Sequence, residues 1–120
     1  YYQPNQLCYK AFNQRGNYDE AAATCSSDGG TLAMPRDAGI NRFLINLKNA
    51  VDNNALFWFG MTDRVREGSW VWADGVPLGH FKRWDPRQPD DAYGNEDCVH
   101  YFAGNSAIYV RNSWNDYPCS

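Results

Sequence analysis

The chain has 120 residues, of which 43% are hydrophobic, 21% charged and 16% aromatic, with a formal net charge of -3. That length suits one hydrophobic core rather than two, and the proportions argue against disorder. The negative balance leaves no electrostatic footprint for nucleic acid or an anionic membrane surface, and no run approaches the ~20 apolar residues of a bilayer span.

The opening Tyr1-Tyr2-Gln3-Pro4-Asn5 has neither the basic start nor the apolar run of a secretory leader, so the chain reads as a mature or excised soluble piece. Leu7 to Phe12 alternates and carries Tyr and Phe, which predicts a first strand. Asn17 followed by Glu20 spells a capping box ahead of Ala21-Ala22-Ala23, predicting a helix that stops at Gly29-Gly30. After Pro35, Asp37 caps a second helix. Its residues Ile40, Phe43, Leu44, Leu47 and Val51 fall on one face and are expected in the core.

From Leu56 onward the pattern becomes strand-like, with Leu56-Phe57-Trp58-Phe59 and then Ser69-Trp70-Val71-Trp72, closed by a turn at Asp74-Gly75. Cys98 to Phe102 and Ala107 to Val110 read as two further strands around a Gly104-Asn105 turn. The stretch between Gly75 and Glu96 has no sustained period and is too long for a simple connector, which marks it as functional. Trp84 is expected to anchor it. Two helices and several short strands give an α+β domain.

Oxygen-bearing side chains gather on the loops: Asp63 and Glu67, then Gln88, Asp90, Asp91, Glu96 and Asp97, then Asn115 and Asp116. Converging carboxylates repel one another unless a hard cation neutralises them, and calcium accepts six to eight such oxygens. Zinc is disfavoured because the two histidines, His80 and His100, stand alone. The spacing of an EF-hand loop is absent. Four cysteines, Cys8, Cys25, Cys98 and Cys119, are widely separated and show no Cys-x-x-Cys spacing, which suggests disulfides and an oxidising compartment without choosing among the three pairings.

These motifs together resemble the C-type lectin domain over nearly the whole chain. They are Cys8-Tyr9-Lys10, Gly30-Thr31-Leu32-Ala33-Met34-Pro35, Phe57-Trp58-Phe59-Gly60-Met61, Gly68-Ser69-Trp70-Val71-Trp72, Gln88-Pro89-Asp90, Glu96-Asp97-Cys98 and Trp114-Asn115-Asp116. The resemblance implies a single domain over residues 1–120 with two helices, short antiparallel strands and a long calcium-binding loop. It implies a principal calcium held by Gln88, Asp90, Glu96, Asn115 and Asp116, and an auxiliary calcium held by Asp63, Glu67, Asp91 and Asp97 with a carbonyl of Glu96.

The function implied is calcium-dependent carbohydrate binding, in which the residues that hold the ion also hydrogen-bond two neighbouring sugar hydroxyls. A carboxylate only accepts whereas a carboxamide also donates, so Gln-Pro-Asp and Glu-Pro-Asn differ in hydrogen-bond polarity at equal charge. In the family the former accompanies galactose and N-acetylgalactosamine, and a galactose-type glycan is therefore the expected partner. Galactose binders of the family place a Trp shortly after the motif. Ala92 stands there, and Tyr93 beside it is the candidate stacking ring.

The resemblance also implies a Cys98–Cys119 disulfide. Cys25 should pair with a cysteine of a final strand that Ser120 precedes, so the expectation is either a chain cut before that strand or a Cys8–Cys25 pair. A missing terminal strand would expose the edge of the first one and favour a homo-oligomer. The alternative function is a non-sugar interaction module on the same fold, binding protein, ice or another surface. An enzyme is not expected, because no Ser-His-Asp set, Cys-His pair or His-Glu-x-x-His is present. The expected setting is extracellular, in glycan or microbial recognition.

Overall fold

A computed structural model describes residues 9, 16–53, 55–66, 68–85, 97–105 and 111–119. The first helix, α1, runs Tyr18–Ser27 behind the expected capping box: Asn17 Oδ1 accepts from Glu20 N at 2.8 Å, and Glu20 Oε1 accepts from Asn17 N at 2.8 Å. The helix ends where Gly29 turns left-handed at φ 83° and Gly30 N donates back to Cys25 O at 2.9 Å. The second helix, α2, runs Ala38–Val51, with Asp37 accepting from Ile40 N at 2.8 Å.

The face that α2 buries differs from the expected one. Ile40 and Leu44 are buried, but Val51 is 38% exposed, and Asn41 and Lys48 take inner positions. Both polar groups find partners. Asn41 Oδ1 accepts from Tyr101 Oη at 2.6 Å and from Trp114 Nε1 at 3.3 Å. Lys48 Nζ donates to Asn112 Oδ1 at 2.8 Å, Asn49 Oδ1 at 2.9 Å and Phe102 O at 3.4 Å, and lies 5.5 Å from the centroid of the Tyr101 ring. The inner face thus follows the Ile40, Leu44, Lys48 row and leaves Val51 at the solvent end.

Among the described residues, four antiparallel strands form one sheet in the order β2-β1-β3-β4: β1 is Phe57–Thr62, β2 Val71–Trp72, β3 Cys98–Tyr101 and β4 Trp114–Tyr117. The second strand is shorter than the expected Ser69 to Trp72. Ser69 is held in a turn by its N–H on Arg66 O at 2.9 Å, after Gly68 at φ 80°. The expected turns at Asp74-Gly75 and Gly104-Asn105 are present. The predicted strands at Leu7 to Phe12 and Ala107 to Val110 lie outside the described residues, apart from Tyr9, which packs on Phe43.

The register between β1 and β3 slips between Phe59 and Thr62, at Gly60. A Cβ on Gly60 would stand 2.9 Å from Ala73 Cβ and 3.1 Å from Leu32 O, so the residue marks a close backbone approach. Beyond the slip the pairing continues, and Asp63 N donates to Asp97 O at 3.1 Å.

Alternation across the strands separates two cores. Phe59, Met61, Val99, Tyr101 and Trp114 pack with Ile40 and Leu44 of α2, whereas Trp58 and Cys98 pack with Tyr18, Ala21 and Ala22 of α1. Trp114 is the hub of the larger core, with ring centroids of Phe59, Trp72, Phe81 and Trp84 between 5.3 and 5.9 Å away. Trp84 also meets Trp70 at 5.1 Å, so it anchors the start of the long loop as expected. No helix among the described residues is long and apolar enough to cross a membrane.

Candidate functional site

Strand β3 organises what the described residues show of the site. It begins at Cys98, directly after Asp97, and pairs with β1 on one side and β4 on the other. Asp63 leaves β1 beside Asp97, while Asn115 and Asp116 stand on β4 opposite His100 and Val99. A disulfide joins Cys98 to Cys119 across a Cα–Cα distance of 5.2 Å, as the resemblance implied. It clamps the chain segments carrying Asp97 and the Asn115-Asp116 pair, and closing a loop of 21 residues is worth ~3 kcal/mol in the chain-entropy account. Cys25 has no disulfide partner among the described residues, its thiol is raised above its ordinary pKa mainly by burial, and Cys8 lies outside the described residues.

Asp63 is 2% exposed. One carboxylate oxygen, Oδ2, accepts from Gly68 N at 2.9 Å, an arrangement the loop achieves because Gly68 can hold a positive φ. The other, Oδ1, is buried with no hydrogen-bond partner among the described residues. An anionic oxygen in that state is destabilising by ~1 to 3 kcal/mol or more unless a cation meets it. Asp97 stands at the adjacent strand start, so two of the four expected auxiliary residues are neighbours through their backbones. The other two, Glu67 and Asp91, lie outside the described residues.

Arg64, next along the loop, is turned away to α1, where it donates to both oxygens of Asp19 at 2.9 and 3.0 Å and lies over the Tyr18 ring. That bidentate pair holds the Asp19 carboxyl below its usual range and raises Arg64, with Asp97 adding a smaller field. The loop is thereby pinned to α1.

Of the five expected principal ligands, the described residues include Asn115 and Asp116. Asp116 is fully buried. Asn115 is 7% exposed, and its Nδ2 lies 3.3 Å from His100 Nε2. Gln88, Asp90 and Glu96 lie outside the described residues, as does Tyr93. Among the described residues no group of three or more His, Cys, Asp or Glu converges to hold a metal. The fit to a hard cation rests on the donor chemistry, which is all oxygen, and on the orphaned Asp63 Oδ1.

Two residues of this region escaped the sequence reading of ligands. Asp85 is fully buried, with its N–H on Trp114 O at 2.9 Å, which puts it beside β4 at the entry to the long loop. Its place next to the loop anchor Trp84 was the available signal. His100 is 2% exposed, and burial pushes its imidazole down to about 4, so it is neutral at physiological pH. His80 is exposed.

Comparison with known proteins identifies the family and the fold. Residues 14–120 match the family described as the lectin C-type domain. Collectin-10 of Gallus gallus is 34% identical over 113 residues, covering 92% of this chain and 37% of the collectin, so the chain spans under two fifths of that relative's length. The fold resembles CEL-I, a C-type lectin from Cucumaria echinata, with a TM-score of 0.77 at 24% identity over 90% of this chain and 79% of that one. It also resembles the C-type carbohydrate-recognition domain of cow CD23, studied in the presence of a GlcNAc2Man3 oligosaccharide, with a TM-score of 0.72 at 27% identity over 88% and 72%. C-type lectin domains generally bind calcium, and the donor set here suits that ion. The chain belongs to the C-type lectin domain family, whose members are carbohydrate-binding and non-enzymatic.

Proposed function

We propose that this domain binds galactose-type sugars, galactose or N-acetylgalactosamine, in a calcium-dependent manner. The principal site comprises Gln88, Asp90, Glu96, Asn115 and Asp116, and the auxiliary site Asp63, Glu67, Asp91 and Asp97. The observation that carries the calcium dependence is Asp63 Oδ1, a buried carboxylate oxygen with no hydrogen bond among the described residues, beside a second aspartate at the start of β3. A bound calcium would supply open coordination positions for two neighbouring sugar hydroxyls.

The chain's own groups then set the preference. Gln88 can donate through its amide while Asp90 only accepts, so hydroxyls are selected by which side must give a proton and which must take one. Tyr93 is the candidate ring for the apolar face of the sugar. A site with one ion and one stacking ring holds a single sugar at ~millimolar affinity, and useful binding requires several copies, through oligomerisation or display. The Cys98–Cys119 disulfide supports an extracellular setting, where such a bond persists and glycan or microbial surfaces are the available partners.

A glycan array in calcium and in chelator tests this reading. The expected result is signal on terminal galactose or N-acetylgalactosamine that disappears with chelator. Signal that survives chelation contradicts the calcium mechanism, signal confined to mannose-type sugars contradicts the specificity, and silence on every glycan favours a non-sugar interaction module.

A further inference from the structure

His100 and Asn115 face each other in the register of β3 and β4. His100 Nδ1 lies 3.1 Å from the Tyr101 carbonyl oxygen, which can only accept. The ring proton therefore sits on Nδ1, and Nε2 keeps its lone pair. That lone pair lies 3.3 Å from Asn115 Nδ2, which can only donate. The two contacts leave one consistent arrangement, with the amide nitrogen of Asn115 toward His100 and Oδ1 directed away from the ring.

The imidazole has little freedom to abandon this geometry. The rings of Trp58, Phe102 and Tyr117 surround it at centroid distances of 5.4, 5.8 and 5.1 Å. Asn115 itself is nearly buried, so its amide is held by contacts and not by bulk water.

We propose that His100 is a positioning residue: by accepting from Asn115 Nδ2 it commits the amide oxygen to the cation and leaves one N–H for a ligand hydroxyl. This rests on the reading of Asn115 as a calcium ligand. An amide free to turn over would present its N–H2 end about as readily, and that end repels a cation. One fixed orientation removes the competing state before any ion arrives.

The test uses the whole domain with two substitutions. His100→Phe keeps a flat ring in the aromatic box and deletes the acceptor, whereas His100→Gln retains an acceptor oxygen. In chelator, the side-chain amide signals of Asn115 in a proton–nitrogen spectrum should be sharp and inequivalent in the parent and in His100→Gln. In His100→Phe they should shift and exchange faster. Titration with calcium alone should then show binding ~10-fold weaker in His100→Phe and within ~3-fold of the parent in His100→Gln. Thermal unfolding identifies the folded variants.

A folded His100→Phe that keeps the parent's amide signals or its calcium affinity overturns the positioning role. A parent domain that takes up no calcium overturns the underlying ligand reading, a failure visible before any variant is compared.

Discussion

Asp63→Asn should change stability in opposite senses with and without calcium. In chelator, the wild-type domain carries a buried carboxylate with one oxygen bonded to Gly68 N and the other unmatched among the described residues. Asparagine preserves the first bond through its own oxygen and removes the charge. The expected effect is between no change and a gain of ~1 kcal/mol, since an unmatched buried group costs ~1 to 3 kcal/mol and the new N–H2 recovers part of that.

In calcium at 100 times its dissociation constant, binding stabilises the wild type by ~2.7 kcal/mol. At ~4 °C per kcal/mol for a domain of this size, that raises Tm by ~10 °C. A variant whose affinity falls ~100-fold retains only RT ln 2, ~0.4 kcal/mol and ~2 °C. Circular dichroism melts of both proteins in calcium and in EDTA supply all four values. Equal destabilisation of the variant in the two conditions would mean that Asp63 serves the loop's structure through Gly68 alone, and an unchanged calcium shift would remove it from the site.

The sequence pair Gln88 and Asp90 predicts that Gln88→Glu with Asp90→Asn reverses the hydrogen-bond polarity and moves preference from galactose-type to mannose-type sugars, read on the same array. Gly60→Ala should cost ~1 to 3 kcal/mol in urea unfolding, because its Cβ would meet Ala73 Cβ and the Leu32 and Ala33 carbonyls, while Gly79→Ala, with open space around it, should stay within ~0.5 kcal/mol. Burial lowers Lys48 from 10.5 to about 8 in the folded domain. Between those pH values the unfolded chain holds the proton and the folded one does not, so the Lys48 contribution to stability rises as pH increases from 8 toward 10, partly offset by Cys25, whose thiol is raised in the folded domain. Allowing for partial solvent screening the gain is ~1 to 2 kcal/mol, and urea midpoints at pH 7.5 and 9.5 should show it in the parent and lose it in Lys48→Met. Above pH 10 the raised tyrosines Tyr18 and Tyr101 oppose the trend, which is why the comparison stops short of it.

What could be read from the sequence was chiefly what depends on near neighbours. Asn17 with Glu20 and Asp37 with Ile40 are caps closed within three residues, and Trp84 was recognisable because a large ring in a polar loop must pack somewhere. Lys48 was missed because periodicity weighs apolar residues alone. Its burial depends on Phe102 and Asn112, 54 and 64 residues away, whose oxygens nothing local announces. Gly60 carried no local signal either, since its necessity arises from segments at Leu32 and Ala73 closing on it. His100 looked solitary because its partner is set by cross-strand register, and Asn115 lies 15 residues along the chain.

The same register explains why the two proposed calcium sites should not behave independently. β3 supplies a backbone acceptor to Asp63 at its first end through Asp97 and aligns Asn115 and Asp116 along its other flank. Cys98 ties that strand to Cys119. A shift of β3 by one residue would carry His100 away from Asn115 and turn Val99 out of the core, so the strand has one packed position rather than a range. An ion that meets Asp63 and Asp97 therefore favours the same strand position that aligns Asn115 and Asp116. The expected result is positive coupling, seen as a weakened principal site in Asp63→Asn even though Asp63 is not among its ligands. Independent affinities for the two ions in that variant and the parent would show that the loops, and not the shared strand, set each site.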